Sequence, residues 1–131
     1  KIELKPVALV MDAAPGIKVT FHRAFDQLRD PLAALDAVAG VRGIDRILTS
    51  GGKGPSTIRC QRLRAYQKRA GSCLTIIAGG GVDAEMLSAI VRTGVAREVH
   101  VGRAARERHD PEAAVAAAKV SRLREIIETC E

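Results

Sequence analysis

Leu74-Thr75-Ile76-Ile77-Ala78-Gly79-Gly80-Gly81-Val82-Asp83 sets an apolar run, three glycines and a helix-capping acid in unbroken succession. Leu74 to Ala78 is short, rich in β-branched residues and apolar on both alternating faces. A strand buried on both sides of a parallel sheet reads this way. Glycines follow where that strand must end, and they reach backbone angles closed to other residues. Asp83 then offers a carboxylate to the free N–H groups that open a helix from Ala84 to Val91. The segment is one βα unit, with its loop where such folds place their chemistry. Bare backbone beside a helix start suits an anion or a small polar ligand. The same glycines also suit a tight turn that brings the helix close to the sheet.

Similar units lie on either side of this one. Upstream, Ile17 to Asp26 reads as a strand with a β-branched and aromatic body and polar groups at its C-terminal end. Asp30-Pro31 supplies an N-cap and a first-turn proline for a helix through Leu32, Leu35 and Val38 to Gly40. Asp45 to Ser50 is the next strand, closing in Gly51-Gly52-Lys53-Gly54. A helix from Pro55 to Ala70 follows, with Ile58, Leu63 and Tyr66 turned inward. Downstream, Gly94 stops the helix after Asp83, and Glu98 to Gly102 is a fourth strand. Asp110-Pro111 repeats the capping device for a last helix through Val120, Leu123, Ile126 and Ile127. A loose helical pattern from Pro6 to Ala14 precedes the first strand and is halted by Pro15-Gly16.

Four strands alternating with helices define an α/β chain with a parallel sheet and right-handed crossovers. Two architectures accommodate it, a doubly wound layer or part of a (β/α)₈ barrel, which needs eight such units and typically ~250 residues. The 131 residues suit one domain. Hydrophobic residues make up 47% and aromatics 2%, so the core is aliphatic. No apolar run approaches the ~20 residues of a membrane span, and no signal peptide opens the chain, so a cytoplasmic protein is expected.

Cys60, Cys73 and Cys130 are scattered and never form a C-x-x-C pair, which argues against a disulfide framework or a zinc site. The net charge of +6 is concentrated between Arg46 and Val82, where seven Lys or Arg residues meet no Asp or Glu. Arg59, Arg62, Arg64, Lys68 and Arg69 share one helical stretch without stacking aromatics beyond Tyr66. This is the pattern of a solvated helix face, and no nucleic-acid partner is expected.

Polar residues gather at the strand ends. His22, Arg23 and Asp26 end the first strand; Thr49, Ser50 and Gly51 the second; Gly79, Gly80 and Gly81 the third; His100 and Gly102 the fourth. Arg23 carries a planar fork matched to carboxylate or phosphate, or else to Asp26. Thr49, Ser50 and Gly51 offer hydroxyls and N–H groups to an oxyanion, or simply terminate a strand. His22 and His100 are the candidate metal ligands or proton carriers, with a hydrogen bond to Asp26 or Glu98 as the alternative. No acid pair, nucleophile–base set or multi-ligand metal cluster stands out, so enzymatic activity is left open.

Val19 to Asp26, Asp45 to Gly51, Ile77 to Val82 and Glu98 to His100 resemble, in order and spacing, the signature blocks of the CutC copper homeostasis family. The resemblance implies a TIM-type barrel and a cytosolic role in copper tolerance or trafficking through Cu(I) binding. It also implies that residues 1–131 are a single half-barrel domain carrying the second four strands. The family's cysteine near an early strand would then lie in the other half. Gly102-Arg103 departs from the small residues, serine included, that the family usually places after the last histidine.

A half-barrel leaves two sheet edges and one apolar face open, so self-association is expected. The alternative function is a barrel enzyme holding a phosphorylated small molecule on Gly79 to Gly81 and the segment around Gly102. A remnant that binds nothing is the third.

Overall fold

A computed structural model describes residues 3–129; Cys130 lies outside them. Helix α1 (Lys5–Ala13) leads into strand β1 (Val19–Phe21), a 3₁₀ turn (Arg23–Gln27) and α2 (Pro31–Ala39). Strand β2 (Ile44–Thr49), α3 (Ser56–Ala70), β3 (Thr75–Gly79), α4 (Ala84–Thr93) and β4 (Glu98–His100) follow. Two 3₁₀ turns (Arg103–Ala105 and Glu107–His109) then lead to α5 (Ala117–Glu128).

The four strands form one sheet in the order β1-β2-β3-β4, and every neighbouring pair is parallel. That order matches part of a barrel. A doubly wound sheet reverses its strand order partway, whereas here each crossover steps the same way. Right-handed crossovers in one direction put all their helices on one face. The sheet is therefore singly wound, as in part of a TIM-like fold.

The two faces differ accordingly. Phe25, Leu35, Ile47, Leu63, Ile76, Met86, Leu87 and Ile90 are fully buried between helices and sheet. Tyr66 meets Phe25 edge-on, with ring centroids 5.4 Å apart. On the other face, Arg46, Leu48, Ile77 and Glu98 are only half-buried. There Arg46 Nε reaches over β3 to donate to Glu98 Oε2 at 3.1 Å, and Arg46 Nη1 donates to Asp45 Oδ2 at 2.6 Å.

Three local expectations are corrected. The first strand stops at Phe21 instead of running to Asp26, because His22 Nδ1 accepts the Ala24 N–H at 2.9 Å and bends the chain into the 3₁₀ turn that buries Phe25. The last helix begins at Ala117, not after Asp110-Pro111. Asp110 Oδ1 instead accepts the Glu112 N–H at 2.9 Å within a local turn. Ile58 is 37% exposed and Cys60 takes the inward position on α3 with Leu63, Tyr66 and Ala70. Two residues rotate a helix by about 200°, so Ile58 and Cys60 cannot share a face.

Other local devices form as read. Asp30 caps α2 through the Ala33 N–H at 3.1 Å, and Asp83 caps α4 through the Met86 N–H at 2.8 Å. Gly94 ends α4 in the left-handed conformation at φ +60°.

Candidate functional site

Parallel strands end on the same edge of a sheet, so the 3₁₀ turn after β1 and the loops after β2, β3 and β4 share one rim. Asp26 joins the first two. Its carboxylate accepts from Thr49 Oγ1 at 2.6 Å, Ser50 Oγ at 2.7 Å, the Ser50 N–H at 3.1 Å and Arg23 Nε at 3.1 Å. Thr49 is fully buried and Ser50 nearly so. Burial pushes the Asp26 carboxyl up, but the hydrogen bonds from Thr49, Ser50 and Arg23 outweigh it and hold the group below its ordinary value of 3.8. The ionised form only accepts, so both hydroxyls must donate inward. In turn Thr49 Oγ1 accepts the Gly51 N–H and Ser50 Oγ the Gly52 N–H, each at 3.1 Å.

The structure therefore gathers Arg23, Asp26, Thr49, Ser50 and Gly51 into one cluster. It also shows what that cluster does with its hydrogen bonds: it ties the β1 and β2 strand ends together. The acid and hydroxyls face one another, and only the Arg23 side chain is substantially exposed, at 53%.

Arg59, read from the sequence as part of a solvated helix face, is a second tie. From α3 its guanidinium donates to the Ser50 carbonyl at 2.7 Å, the Gly80 carbonyl at 2.8 Å and the Gly81 carbonyl at 3.1 Å. Arg62, one helical turn on, donates to the carbonyls of Gly51 at 3.2 Å and Lys53 at 2.6 Å. The available signal was their place in the first two turns after a glycine-rich loop, where a long fork can reach back to loop carbonyls. Arg64 and Arg69 turn elsewhere, and Arg69 pairs with Asp36 at 2.6 Å.

The three glycines have separate reasons. A Cβ on Gly79 would lie 2.5 Å from Leu48 Cδ1, so this strand end is bare for packing. Gly80, at φ +89°, lies beneath the Arg23 guanidinium, with Nε 2.5 Å from where a Cβ would stand. Gly81, at φ +67°, faces open space. That space is a cleft of about 220 Å³ lined by Gly81, Val82, Asp83, Gly102, Arg103 and His109 together with Ala104. It lies between the loops after β3 and β4, beside the first turn of α4. Arg103 and the N-terminal end of α4 bring positive charge to it, and the Asp83 carboxylate, which accepts the Met86 N–H, brings a negative one.

The histidines do not converge. His22 follows β1 and His100 ends β4, on opposite edges of the sheet. Three strand spacings separate those edges, about 14 Å at ordinary interstrand distances. Among the described residues no group of three or more His, Cys, Asp or Glu is placed to hold a metal ion. The sulfurs lie elsewhere. Cys60 and Met86 are buried under helices, and Met11 lies over Gly43 before β2. Cys73 is exposed in the turn before β3, at the opposite end of the strands.

A singly wound parallel sheet with polar loops and an anion-sized cleft along its strand-end rim defines an α/β protein of partial TIM-like fold. The chain belongs to the CutC family, whose model matches residues 1–105. A CutC family protein of Bacteroides fragilis is 36% identical over 99 residues, 76% of this chain and 39% of that protein. One from Photobacterium profundum is 41% identical over 102 residues, 76% of this chain and 41% of its own length. A solved CutC from Streptococcus agalactiae, described as a candidate copper homeostasis protein, superposes with a TM-score of 0.66 at 26% identity. That match covers 76% of this chain and 49% of the other. The chain spans about two fifths of the curated relatives it matches. No described helix is long and apolar enough to cross a membrane.

Proposed function

We propose that this chain works in copper homeostasis as part of a CutC-type barrel, and that its strand-end rim does so by binding a small anionic ligand, phosphate-bearing or carboxylate-bearing. The observation that carries the ligand class is the cleft between Gly81 and Gly102. It joins a side-chain-free loop, the start of a ten-residue helix and one arginine, a combination suited to a doubly charged anion. The role in copper homeostasis rests on family membership and on the description of the structural neighbour. The cytoplasm is the proposed location.

Amide chemical shifts during titration with inorganic phosphate test the anion reading. Gly81, Val82, Gly102 and Arg103 should move together, and Arg103→Ala should weaken binding several-fold. Shifts scattered over surface lysines and arginines, unaffected by Arg103→Ala, would refute it. Direct Cu(I) binding by the chain is the competing reading, and His100 on the same rim favours it. An anaerobic competition titration against a chromophoric Cu(I) chelator decides between them. Stoichiometric binding lost in His22→Ala/His100→Ala would establish copper at the rim and displace the anion reading as the primary activity.

A further inference from the structure

We propose that the cleft between Gly81 and Gly102 selects a small anion that carries a hydroxyl beside its charged group. Arg103 and His109 take the anionic end, and Asp83 takes the hydroxyl. The inference rests on the anion reading above and goes beyond it by naming the class of ligand.

The two walls of the cleft differ in what they offer. The loop after β3 brings Gly81, Val82 and Asp83, and the segment after β4 brings Gly102, Arg103 and His109. Arg103 supplies a guanidinium fork matched to phosphate or carboxylate. Asp83 supplies the opposite character. Its Oδ1 accepts the Met86 N–H at 2.8 Å, and among the described residues Oδ2 has no hydrogen-bond partner. A carboxylate only accepts. A bare anion in this cleft therefore meets a like charge on one wall, whereas a ligand with a hydroxyl next to its charged group turns that wall into a partner. Such a site discriminates by repulsion as well as by attraction.

Size points the same way. The volume of about 220 Å³ falls below the roughly 300–1,000 Å³ of pockets for drug-sized ligands. Gly81 and Gly102 both leave open space where a Cβ would stand, so the two loops keep the cleft clear from either side. A ligand of a few carbons, charged at one end and hydroxylated beside it, matches that space and its two walls.

His109, read from the sequence as a surface loop residue, is placed on the cleft by a strained turn. Arg108 and His109 have φ of +49° and +56°, a region that disfavours any residue with a Cβ. Both are exposed, so the turn buries no core residue in return. The segment is held from behind. The Glu107 N–H donates to the Ala114 carbonyl at 3.1 Å, Arg106 Nη1 to the Ala113 carbonyl at 2.6 Å, and Lys119 Nζ to the Arg106 carbonyl at 2.7 Å. Strain that the surroundings impose and burial does not offset marks a positioned group. Here that group is an imidazole beside Arg103, offering an N–H in either protonation state. His109 also lies beyond residues 1–105 that the family model matches.

The test is calorimetric titration of the 131-residue chain with glycerol 3-phosphate and with methyl phosphate, which carries the same charged group without hydroxyls. Wild type should bind glycerol 3-phosphate about tenfold more tightly, the worth of one hydrogen bond to a charged group. Asp83→Asn keeps a capping oxygen for the Met86 N–H and removes the carboxylate. It should reduce the preference to about twofold or less, with methyl phosphate bound at least as tightly as by wild type. His109→Ala should weaken both ligands alike and leave the preference intact. Equal affinities in wild type, or a preference unchanged in Asp83→Asn, would overturn the proposal while the anion reading stands. So would His109→Ala binding both esters as wild type does. Binding of neither ester would bring down both readings. Should Asp83→Asn not fold, Asp83→Ser, which also keeps a capping oxygen, carries the same comparison.

Discussion

Replacing Asp26 with Ala should cost this chain about 3 kcal/mol of stability, although the side chain belongs to no regular helix or strand and is read from the sequence as a ligand group. The substitution leaves three donors facing an apolar methyl: the Thr49 hydroxyl at 2.6 Å, the Ser50 hydroxyl at 2.7 Å and the Ser50 N–H at 3.1 Å. A buried donor stripped of its partner costs about 1–3 kcal/mol. Thr49 is 0% exposed and bears the larger share, whereas Ser50, at 6%, lies nearer the rim and recovers some of its loss from water. A total of about 3 kcal/mol corresponds to a fall in melting temperature of roughly 10 °C for a domain of this size. Urea denaturation followed by circular dichroism at one fixed protein concentration measures it, since self-association would otherwise enter the result.

The pH dependence supplies an independent check. The folded carboxyl titrates below its ordinary value, so its contribution is present above about pH 4 and is lost as the pH falls through the lower folded value. Asp26→Ala should remove that part of the acid destabilisation. Asp26→Asn keeps one acceptor for Thr49 but turns an amide toward the Ser50 donors, and should cost about half as much as Ala. A change under 0.5 kcal/mol in Asp26→Ala, the level of an ordinary surface substitution, would refute the tie between β1 and β2.

Arg59→Ala should destabilise by about 1–3 kcal/mol through loss of its bonds to three loop carbonyls, and Arg59→Lys should recover little because an ammonium lacks the planar fork. Faster hydrogen exchange of the amides around Gly51 and Gly81 would accompany the loss; exchange unchanged in Arg59→Ala would count against the clasp. Gly80→Ala should cost about 2 kcal/mol, from a left-handed φ of +89° and from a methyl directed into the Arg23 guanidinium, measured by denaturation. Gly94→Ala meets open space at φ +60° and should cost only about 1 kcal/mol; equal losses at both glycines would show that the Arg23 contact contributes nothing. Asp83→Ala should cost about 1 kcal/mol through loss of the α4 cap, and thermal melts check it.

Much of this architecture is written locally. Apolar alternation and β-branching marked β2 and β3 to within a residue of their ends. The Asp30 and Asp83 caps and the Gly94 stop were legible because each acts on a group within four residues of itself. Local signals also misled where two were in competition. His22 prolonged the apparent strand in the pattern, yet its imidazole accepts from Ala24 two residues on and ends it. Asp110-Pro111 has the composition of a helix start, but the carboxylate is satisfied by Glu112 inside a turn.

The strand-end rim was only partly visible. Its residues could be named, because polar groups accumulate where a buried strand ends. Their partners could not: Asp26 meets Thr49 and Ser50 across 23 and 24 residues, and Arg59 meets the Gly80 carbonyl across 21. Nor does any local pattern order the strands, turn Arg46 and Glu98 onto one face, or separate His22 from His100 by the width of a sheet. By itself the sequence determined the alternation of elements, their caps and the family blocks, since backbone preference, periodicity and short-range hydrogen bonds act within one or two turns of chain. Only the tertiary structure decided the single winding, the ties at Asp26 and Arg59 and the cleft beside Gly81, because these depend on which distant segments the parallel sheet sets side by side.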